Sequence, residues 1–463
     1  MISLPCQNVA IDPSDFVKKQ HWGAGVYLIR WNACSALLLA GTLICSSAVF
    51  ALDIEPGVGV GLEYTDNAAL TPSNEENDLI ATGYVGARIE ENSGPLQADV
   101  TTSLKYDHYT QDTFSDQYYF NLGATAGWEM VRDRLEWQLQ NFFTQRPVNS
   151  VGSDTPDNTQ NTNIFTLGLN ALFALSARQT FTLLPLYKNF YYEVQDTDNQ
   201  SYGLQASWFY QMYRLTSVGL DGGVSKIEYD SARIPDYTFT RIHGVVSGKR
   251  SHSEFDINFG YTYVDREQFD SGGGFTGDLT WLVNLTGHSQ LRTFIASELT
   301  DSSQGSLNSS VNPENGDPSD QQISGDVLRD SIIALRYLRG DATLNLSLWG
   351  ELRDQNYAEA PLDRETQTVG AEVNYPVTAL LSSGVYGRYK RTKLTDVSLL
   401  DKEYAVGGNL SYQLSRKLRS VLDLRYRKKD STQSSAEYNE MSAFLSLTYG
   451  FGQVSRSSRG GGF

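Results

Sequence analysis

From residue 53 onward, apolar and polar residues alternate along the chain with a period of two. The segment "GVGVGLEY" places Val58, Val60, Leu62 and Tyr64 on one face, and three glycines and Glu63 on the other. The segment "EFDINFGYTY", near residue 254, alternates aromatic and aliphatic residues with acidic and small ones in the same way. Alternation over this length predicts β-strands, each with one apolar and one polar face.

The pattern repeats in twenty segments, and their connections alternate between long and short. The segments begin near residues 54, 79, 96, 117, 135, 163, 180, 200, 216, 237, 254, 276, 291, 327, 341, 365, 380, 403, 418 and 438. Odd-numbered connections such as "TDNAALTPSNEEND" are long, and even-numbered ones such as "NSGP" are tight. Between residues 216 and 250 the apolar face switches. The pattern predicts an antiparallel sheet with loops at one edge and turns at the other.

Two architectures could use such strands: a soluble sandwich, or an outer-membrane barrel whose apolar face meets lipid. Only a closed sheet leaves no unpaired edge in a bilayer. About ten residues at roughly 3.3 Å each, tilted by about 40°, span on the order of 25 Å, the height of the apolar band. Aromatic runs such as "YYF", "FF" and "WFY" near strand ends are typical of girdles at lipid interfaces. We therefore predict an all-β fold, a transmembrane antiparallel β-barrel of about 20 strands, with 18 as the alternative count.

Composition and charge agree with a β-protein that does not bind nucleic acid. The chain has 27 Tyr, 20 Phe and 40 Gly but 13 Pro, and a net charge of −17. The long connections are mainly acidic, whereas the short turns gather basic residues such as Arg132, Arg178 and Arg250. Short turns are periplasmic in known barrels, so we expect acidic extracellular loops and a place in the outer membrane.

The first 51 residues differ from the rest. Lys18, Lys19 and Arg30 precede the apolar run "ACSALLLAGTLIC", and Val49 and Ala51 fit the small-residue positions of a cleavage site. The run is shorter than the roughly 20 residues of a spanning helix. It predicts a signal peptide at residues 1–51, cleaved after about Ala51, followed by a barrel at 52–451 and a flexible periplasmic tail at 452–463. All three cysteines fall in the signal, so the mature chain has no disulfides, and its net charge is −18 because the signal carries three basic and two acidic residues.

Charged residues in the middle of the polar faces are candidates for lining the pore. They are Asp99, Lys105, Glu136, Asp256, Asp278, Glu298, Glu351, Arg353, Glu372, Arg388, Asp423 and Arg425. In a sandwich the same residues would be ordinary solvent-facing charges.

No motif indicates catalysis or a cofactor. The four mature histidines lie outside any serine-hydrolase pattern, and HExxH, phosphate-binding glycine loops and EF-hand loops are absent from the sequence. We predict neither enzymatic activity nor cofactors. Acidic loop residues could hold calcium, although without regular ligand spacing a solvated role is the simpler interpretation; they are Asp66, Asp154, Asp157, Asp196 and Asp198. The loop containing "NSSVNPENGDPSD" either stays on the surface, folds into the pore or meets a partner.

The last predicted strand ends in residues that suggest an assembly signal. Leu447, Tyr449 and Phe451 lie on its lipid face, and a terminal aromatic resembles the signal read by the barrel-assembly machinery. Closure of the barrel pairs this strand with "GVGVGLEY". The tail "GQVSRSSRGGGF" carries Arg456 and Arg459, and its final Phe463 could alternatively contact the assembly machinery or a periplasmic partner.

The stretch "DIEPGVGVGLEYTDNAALTPSNEENDLIATGYVGARIEENSG" resembles the outer-membrane β-barrel porins associated with exosortase/PEP-CTERM and exopolysaccharide export systems. The matching residues are Tyr64, Thr65, Asp66, Asn67, Leu70 and Pro72. The resemblance implies a Gram-negative outer-membrane protein that acts in export or surface organisation of an exopolysaccharide, with the polysaccharide and its export apparatus as partners beside membrane lipid. It implies no catalytic residues. A general or solute-selective diffusion porin, and a structural or adhesive barrel with an occluded lumen, are the alternatives.

Overall fold

The computed structural model describes residues 52–267, 269–305 and 322–456. The predicted signal peptide, the segment 308–320 of the longest loop and the last seven residues of the tail lie outside the described residues. Twenty strands are present in this part of the chain: β1 (Asp53–Thr65), β2 (Asp78–Glu91), β3 (Leu96–Tyr109), β4 (Gln117–Val131), β5 (Leu135–Pro147), β6 (Thr159–Ser176), β7 (Gln179–Tyr192), β8 (Asn199–Tyr213), β9 (Thr216–Tyr229), β10 (Tyr237–Lys249), β11 (Ser253–Arg266), β12 (Gly272–Thr286), β13 (Ser289–Asp301), β14 (Val327–Gly340), β15 (Asn345–Tyr357), β16 (Arg364–Pro376), β17 (Leu381–Leu394), β18 (Leu399–Gln413), β19 (Leu418–Ser431) and β20 (Tyr438–Gly450).

Every strand pairs antiparallel with its neighbours in sequence, and β1 also pairs with β20. Val58 lies opposite Tyr449 and Leu62 opposite Leu445 across this seam. The sheet is therefore a closed barrel, as predicted, with 20 strands rather than 18. Each predicted strand start lies within four residues of the observed one.

The apolar face of the barrel points outward. Val60, Phe259 and Phe275 are 61%, 61% and 67% exposed, whereas Glu63 is fully buried on the inward face of β1. This is the reverse of a soluble protein, in which large apolar side chains form the core. An apolar exterior around a polar interior is the arrangement that a bilayer requires of a barrel.

Two girdles of exposed aromatic residues encircle the outer surface, as predicted. The girdle near the long loops includes Tyr64, Tyr118, Tyr202, Tyr261 and Tyr404, and the girdle near the turns includes Trp128, Trp281, Tyr375, Tyr412 and Tyr449. Amphipathic rings favour the level of the lipid headgroups, so the girdles mark both membrane interfaces.

The connections follow the predicted alternation with one exception. Residues 395–398, between β17 and β18, form a four-residue connection at the long-loop edge, which is no longer than the turns at 92–95 and 341–344. Within the residues that the structure describes, the remaining regular structure consists of short helical turns at Pro156–Asn158, Ser302–Gly305 and Ser434–Ala436. No helix in the described ranges has the length and hydropathy needed to cross a membrane.

Candidate functional site: a bridge and a tail inside the barrel

All twelve predicted pore-lining residues lie on the inward face of the wall, on the opposite face from the exposed apolar side chains. They do not converge on one centre. Arg353 pairs with Asp330 (Nε to Oδ1, 2.9 Å), Asn258 donates to Asp278 at 3.0 Å, and Asn374 donates to Glu372 at 2.6 Å. That these residues line a route for solutes stays a prediction. Three of them, Lys105, Asp423 and Arg425, lie together in the cluster around the chain end described below, where they contact Arg456 or Glu63.

One outer loop crosses the lumen. Residues 148–158 leave β5 and contact strands that are not its neighbours: Arg364 of β16 donates from Nη2 to Ser150 Oγ at 2.7 Å, and Lys429 of β19 donates to the carbonyl of Val151 at 3.0 Å. Arg427 Nη1 lies 3.6 Å from Asp154 Oδ2. Since these strands lie around the barrel from β5 and β6, the loop spans the interior near the outer mouth.

A second segment, from the end of the longest loop, joins the first. The Ser150 amide donates to Gln322 Oε1 at 3.0 Å, and Gln322 Nε2 donates to the carbonyl of Val148 at 3.1 Å. Tyr357 OH on β15 donates to the carbonyl of Gln322 at 3.0 Å. We call residues 148–158 and 322–326 the bridge. Residues 322–326, at the end of the longest loop, thus fold inward rather than over the surface.

Apolar contacts hold the bridge to the wall. Ile323 packs in a buried cluster with Ile164, Phe190 and Tyr192, all on inward faces. A second buried cluster joins Ile227, Tyr229, Tyr237, Val264 and Val327. This cluster explains the switch of the apolar face between residues 216 and 250. At the outer ends of β9 and β10 the apolar side chains point inward, where they pack beside Val327 at the end of the longest loop.

The end of the chain also enters the lumen. Gly450 and Gly452 adopt φ values of 84° and 83°, which glycine tolerates, and they turn the chain inward after β20. Val454 is fully buried, and Lys105 donates to the carbonyl of Arg456 at 2.7 Å. The prediction of a flexible periplasmic tail is therefore wrong for Val454 and Arg456, which are buried or hydrogen-bonded inside the barrel, whereas Gly452, Gln453 and Ser455 are exposed. Arg459 and Phe463 lie outside the described residues.

Arg456 anchors this tail in a buried charge cluster. Its Nη1 donates to Glu63 Oε1 at 2.8 Å and to Ser442 Oγ at 2.7 Å, and its Nε donates to Asp423 Oδ1 at 3.0 Å. Glu440 accepts from Arg427 Nε at 2.6 Å in the same cluster. A guanidinium with several fixed donors can join two carboxylates in this way, which an ammonium does less well.

The glycine face of β1 makes room for the tail. A Cβ at Gly59 would lie 2.4 Å from Val454 Cγ2, and one at Gly61 would lie 3.2 Å from Val454 Cγ1. The alternating glycines in "GVGVG" were the sequence signal for this groove, but alternation alone does not say what fills it.

The residues on which the family resemblance rests close the seam between β1 and β20. The Met441 amide donates to Asp66 Oδ1 at 2.7 Å, Asn67 Nδ2 donates to the carbonyl of Asn439 at 2.9 Å, and Thr65 Oγ1 donates to Glu440 at 3.0 Å. The motif therefore has a structural role in the barrel. The predicted assembly residues Leu447 and Tyr449 face outward on β20, and the Phe451 amide, one residue beyond the strand, donates to the carbonyl of Pro56 at 3.0 Å.

Two carboxyl groups in outer loops have shifted pKa values. Burial raises the pKa of Asp198 to about 6, although its Oδ1 accepts a hydrogen bond from the Tyr192 amide at 2.7 Å. Hydrogen bonds from Tyr106 and then His108 lower the pKa of Asp116. Across the described ranges, no group of three or more His, Cys, Asp or Glu side chains is arranged to hold a metal ion.

One family model and several solved structures are similar to this chain. A family model described as "Putative beta-barrel porin 2" matches residues 365–451. The family resemblance noted in the sequence covers residues 53–94, at the other end of the barrel-forming part of the chain. Solved structures with a similar architecture include the siderophore receptor PirA from Pseudomonas aeruginosa (12% identity, 86% of this chain and 80% of that one, TM-score 0.47). The FrpB iron transporter from Neisseria meningitidis is also similar, with 10% identity over 86% of this chain and 83% of that one and a TM-score of 0.46. OccK2 from P. aeruginosa in complex with glucuronate is similar too, with 8% identity over 87% of this chain and 98% of that one and a TM-score of 0.40. No curated protein sequence matches the chain.

Proposed function

We propose that this protein is a non-catalytic outer-membrane porin that passes small hydrated solutes through a narrowed lumen. The bridge carries the proposal. A chain segment hydrogen-bonded to β15, β16 and β19 across the interior reduces the free cross-section near the outer mouth. An unobstructed barrel of 16 or more strands leaves an aqueous channel, so such a segment sets the size of solute that passes. Charged and amide side chains on the inward wall favour polar solutes.

Single-channel recording in planar bilayers tests this function. Replacing residues 149–157 by a Gly-Ser linker removes the contacts to Arg364, Lys429 and Gln322, and conductance is expected to rise severalfold. Shortening the outer loop at 432–437 by the same approach is the matched control, since that loop takes no part in the bridge contacts, and it should leave conductance unchanged. If neither the intact chain nor the bridge variant conducts, the barrel is occluded and the porin proposal fails.

Export of an exopolysaccharide is the second candidate, favoured by the resemblance over residues 53–94 and by amide side chains in and beside the bridge. Gln160, Gln195 and Gln322 offer donors and acceptors of the kind that bind sugar hydroxyls, with Gln160 Nε2 donating to Gln195 Oε1 at 2.7 Å. A polymer would need the bridge to move aside. A deletion strain separates the candidates: loss of surface polysaccharide supports export, whereas unchanged polysaccharide with lower permeability to small solutes supports the porin.

A further inference from the structure

The outward face of β16–β19 contains a groove that the transport function does not use. Ala371 of β16 lies directly opposite Gly387 of β17, so two positions without a large side chain meet on the outward face. The groove is wide open to its surroundings and has a volume of about 760 Å³, and Tyr389, Tyr404 and Tyr426 line it. That volume falls in the roughly 300–1,000 Å³ range of ligand pockets. The groove lies on the outward surface of the barrel, includes Tyr404 of the outer aromatic girdle, and extends to Lys428 and Asp430 nearer the outer ends of the strands.

Four cations stand on the same outward face, beside the groove and nearer the outer ends of the strands. They are Arg391, Lys393, Lys402 and Lys428, and we call them the cationic patch. Lys393 pairs with Glu365 at 3.0 Å and Lys428 with Asp430 at 2.7 Å. In the described ranges, no carboxylate oxygen lies within 4 Å of the charged nitrogens of Arg391 or Lys402.

Arg391 and Lys402 are neighbours on the outward face of adjacent strands. Arg391 of β17 is the direct register partner of Lys402 of β18, whose partner on β19 is Asp430, and Asp430 itself pairs with Lys428. Like charges directly opposite each other destabilise a sheet. The arrangement is also unusual for a chain with a net charge of −17. An anion between the two side chains would turn this repulsion into attraction.

We propose that the groove and the cationic patch bind a phosphate-bearing, acylated glycolipid of the outer leaflet. An acyl chain occupies the groove between the tyrosines, and its phosphate lies between Arg391 and Lys402. Charge and position together favour this occupant. A free anion would contact the cations but leave the apolar groove empty, and the groove lies on the lipid-facing surface of the barrel. Basic clusters at the headgroup level recognise anionic lipids in this way.

Native mass spectrometry of the full-length barrel in detergent, titrated with bis-phosphorylated lipid A, tests the proposal. We expect the Arg391→Glu/Lys402→Glu variant to bind at least tenfold more weakly. Gly387→Leu should weaken binding as well by filling the groove, and it fits because the nearest atom to a Cβ there is 3.9 Å away. The matched control is Lys226→Glu/Arg233→Glu, which makes the same charge change at the outer end of β9 and in the following loop. It should bind like the parent chain.

Two further arms identify the ligand. Dephosphorylated lipid A should bind more weakly than the phosphorylated form, and millimolar inorganic phosphate should not displace bound lipid. Equal binding by the patch variant and the control, or full displacement by phosphate, overturns the proposal. Heat-modifiable electrophoretic mobility verifies that each variant is folded. Unchanged channel conductance in the patch variant separates this site from the porin function.

Discussion

Among single residues, Arg456 joins the tail to the wall by pairing with Glu63 and Asp423, two carboxylates shielded from solvent. Glu63 is fully buried, and Arg425 Nη2 also lies 3.9 Å from its Oε1. Removing one partner of a buried ion pair typically costs about 3–5 kcal/mol because the other charge stays desolvated.

Arg456→Gln is therefore expected to lower the free energy of unfolding by up to that amount, with Arg456→Lys falling between it and the parent. Lysine keeps the charge but cannot reach Glu63 and Asp423 with separate nitrogens. Urea unfolding in lipid vesicles, followed by tryptophan fluorescence, measures the change. Equal stability of all three proteins would show that the cluster contributes nothing.

Asp198 gives the outer end of β7 a dependence on pH. Burial raises the pKa of Asp198 to about 6, so the folded protein holds this proton more tightly than the unfolded chain, whose carboxyl has an ordinary pKa near 3.9. The resulting stabilisation is complete below the ordinary pKa and is lost as pH rises through about 6.

Asp198→Asn should remove the loss of stability that Asp198 causes between pH 4 and 7. The pH dependence that arises from other titrating groups should stay the same. Unfolding midpoints of both proteins across that range provide the measurement. Parallel curves for the two proteins would mean that Asp198 titrates normally.

At the element scale, β1 serves both as a barrel strand and as a groove for the tail. Gly59→Ala places a methyl group where Val454 now lies, so we expect the tail to leave the wall while β1 stays paired. Limited proteolysis after Arg456 should become faster by an order of magnitude or so. Gly83→Ala on β2 is the matched control, because a Cβ there has no atom within 4 Å. Equal cleavage of both variants would contradict the groove.

The strands could be predicted from the sequence because each is a local pattern tied to a uniform environment. Lipid outside and polar groups inside force the same period of two in every strand, so the start of β4 at Gln117 and of β20 at Tyr438 could be located from alternation alone.

The site could not be predicted in the same way, because its contacts join residues far apart in sequence. Arg364 and Ser150 are 214 residues apart, and Arg456 and Glu63 are 393 apart. Neither residue of such a pair lies in a local sequence pattern that identifies its partner. Two signals were nevertheless present: the inverted faces of β9 and β10, and the glycines of β1. Each was a departure from the strand pattern at the place where another segment packs.

In the molecule as a whole, the contacts that close the barrel differ from those that fill its interior. The seam depends on β1, β20 and the residues that follow β1, including Asp66 and Asn67. The tail contacts the completed wall from inside, with Val454 against β1 and Arg456 between β1 and β19. Assembly therefore should not need the tail, while the width of the lumen should depend on it.

A chain that ends at Phe451 tests both halves of this argument. We expect it to reach the outer membrane and show heat-modifiable mobility like the full chain, because the predicted assembly residues and the whole seam remain. Its conductance should be higher than that of the full chain, because residues 452–456 no longer occupy the interior. Full-length Arg456→Gln is the companion variant and should show an intermediate conductance. Lost assembly would mean that the signal lies beyond Phe451, whereas normal assembly with unchanged conductance would mean that the tail lies outside the conducting path.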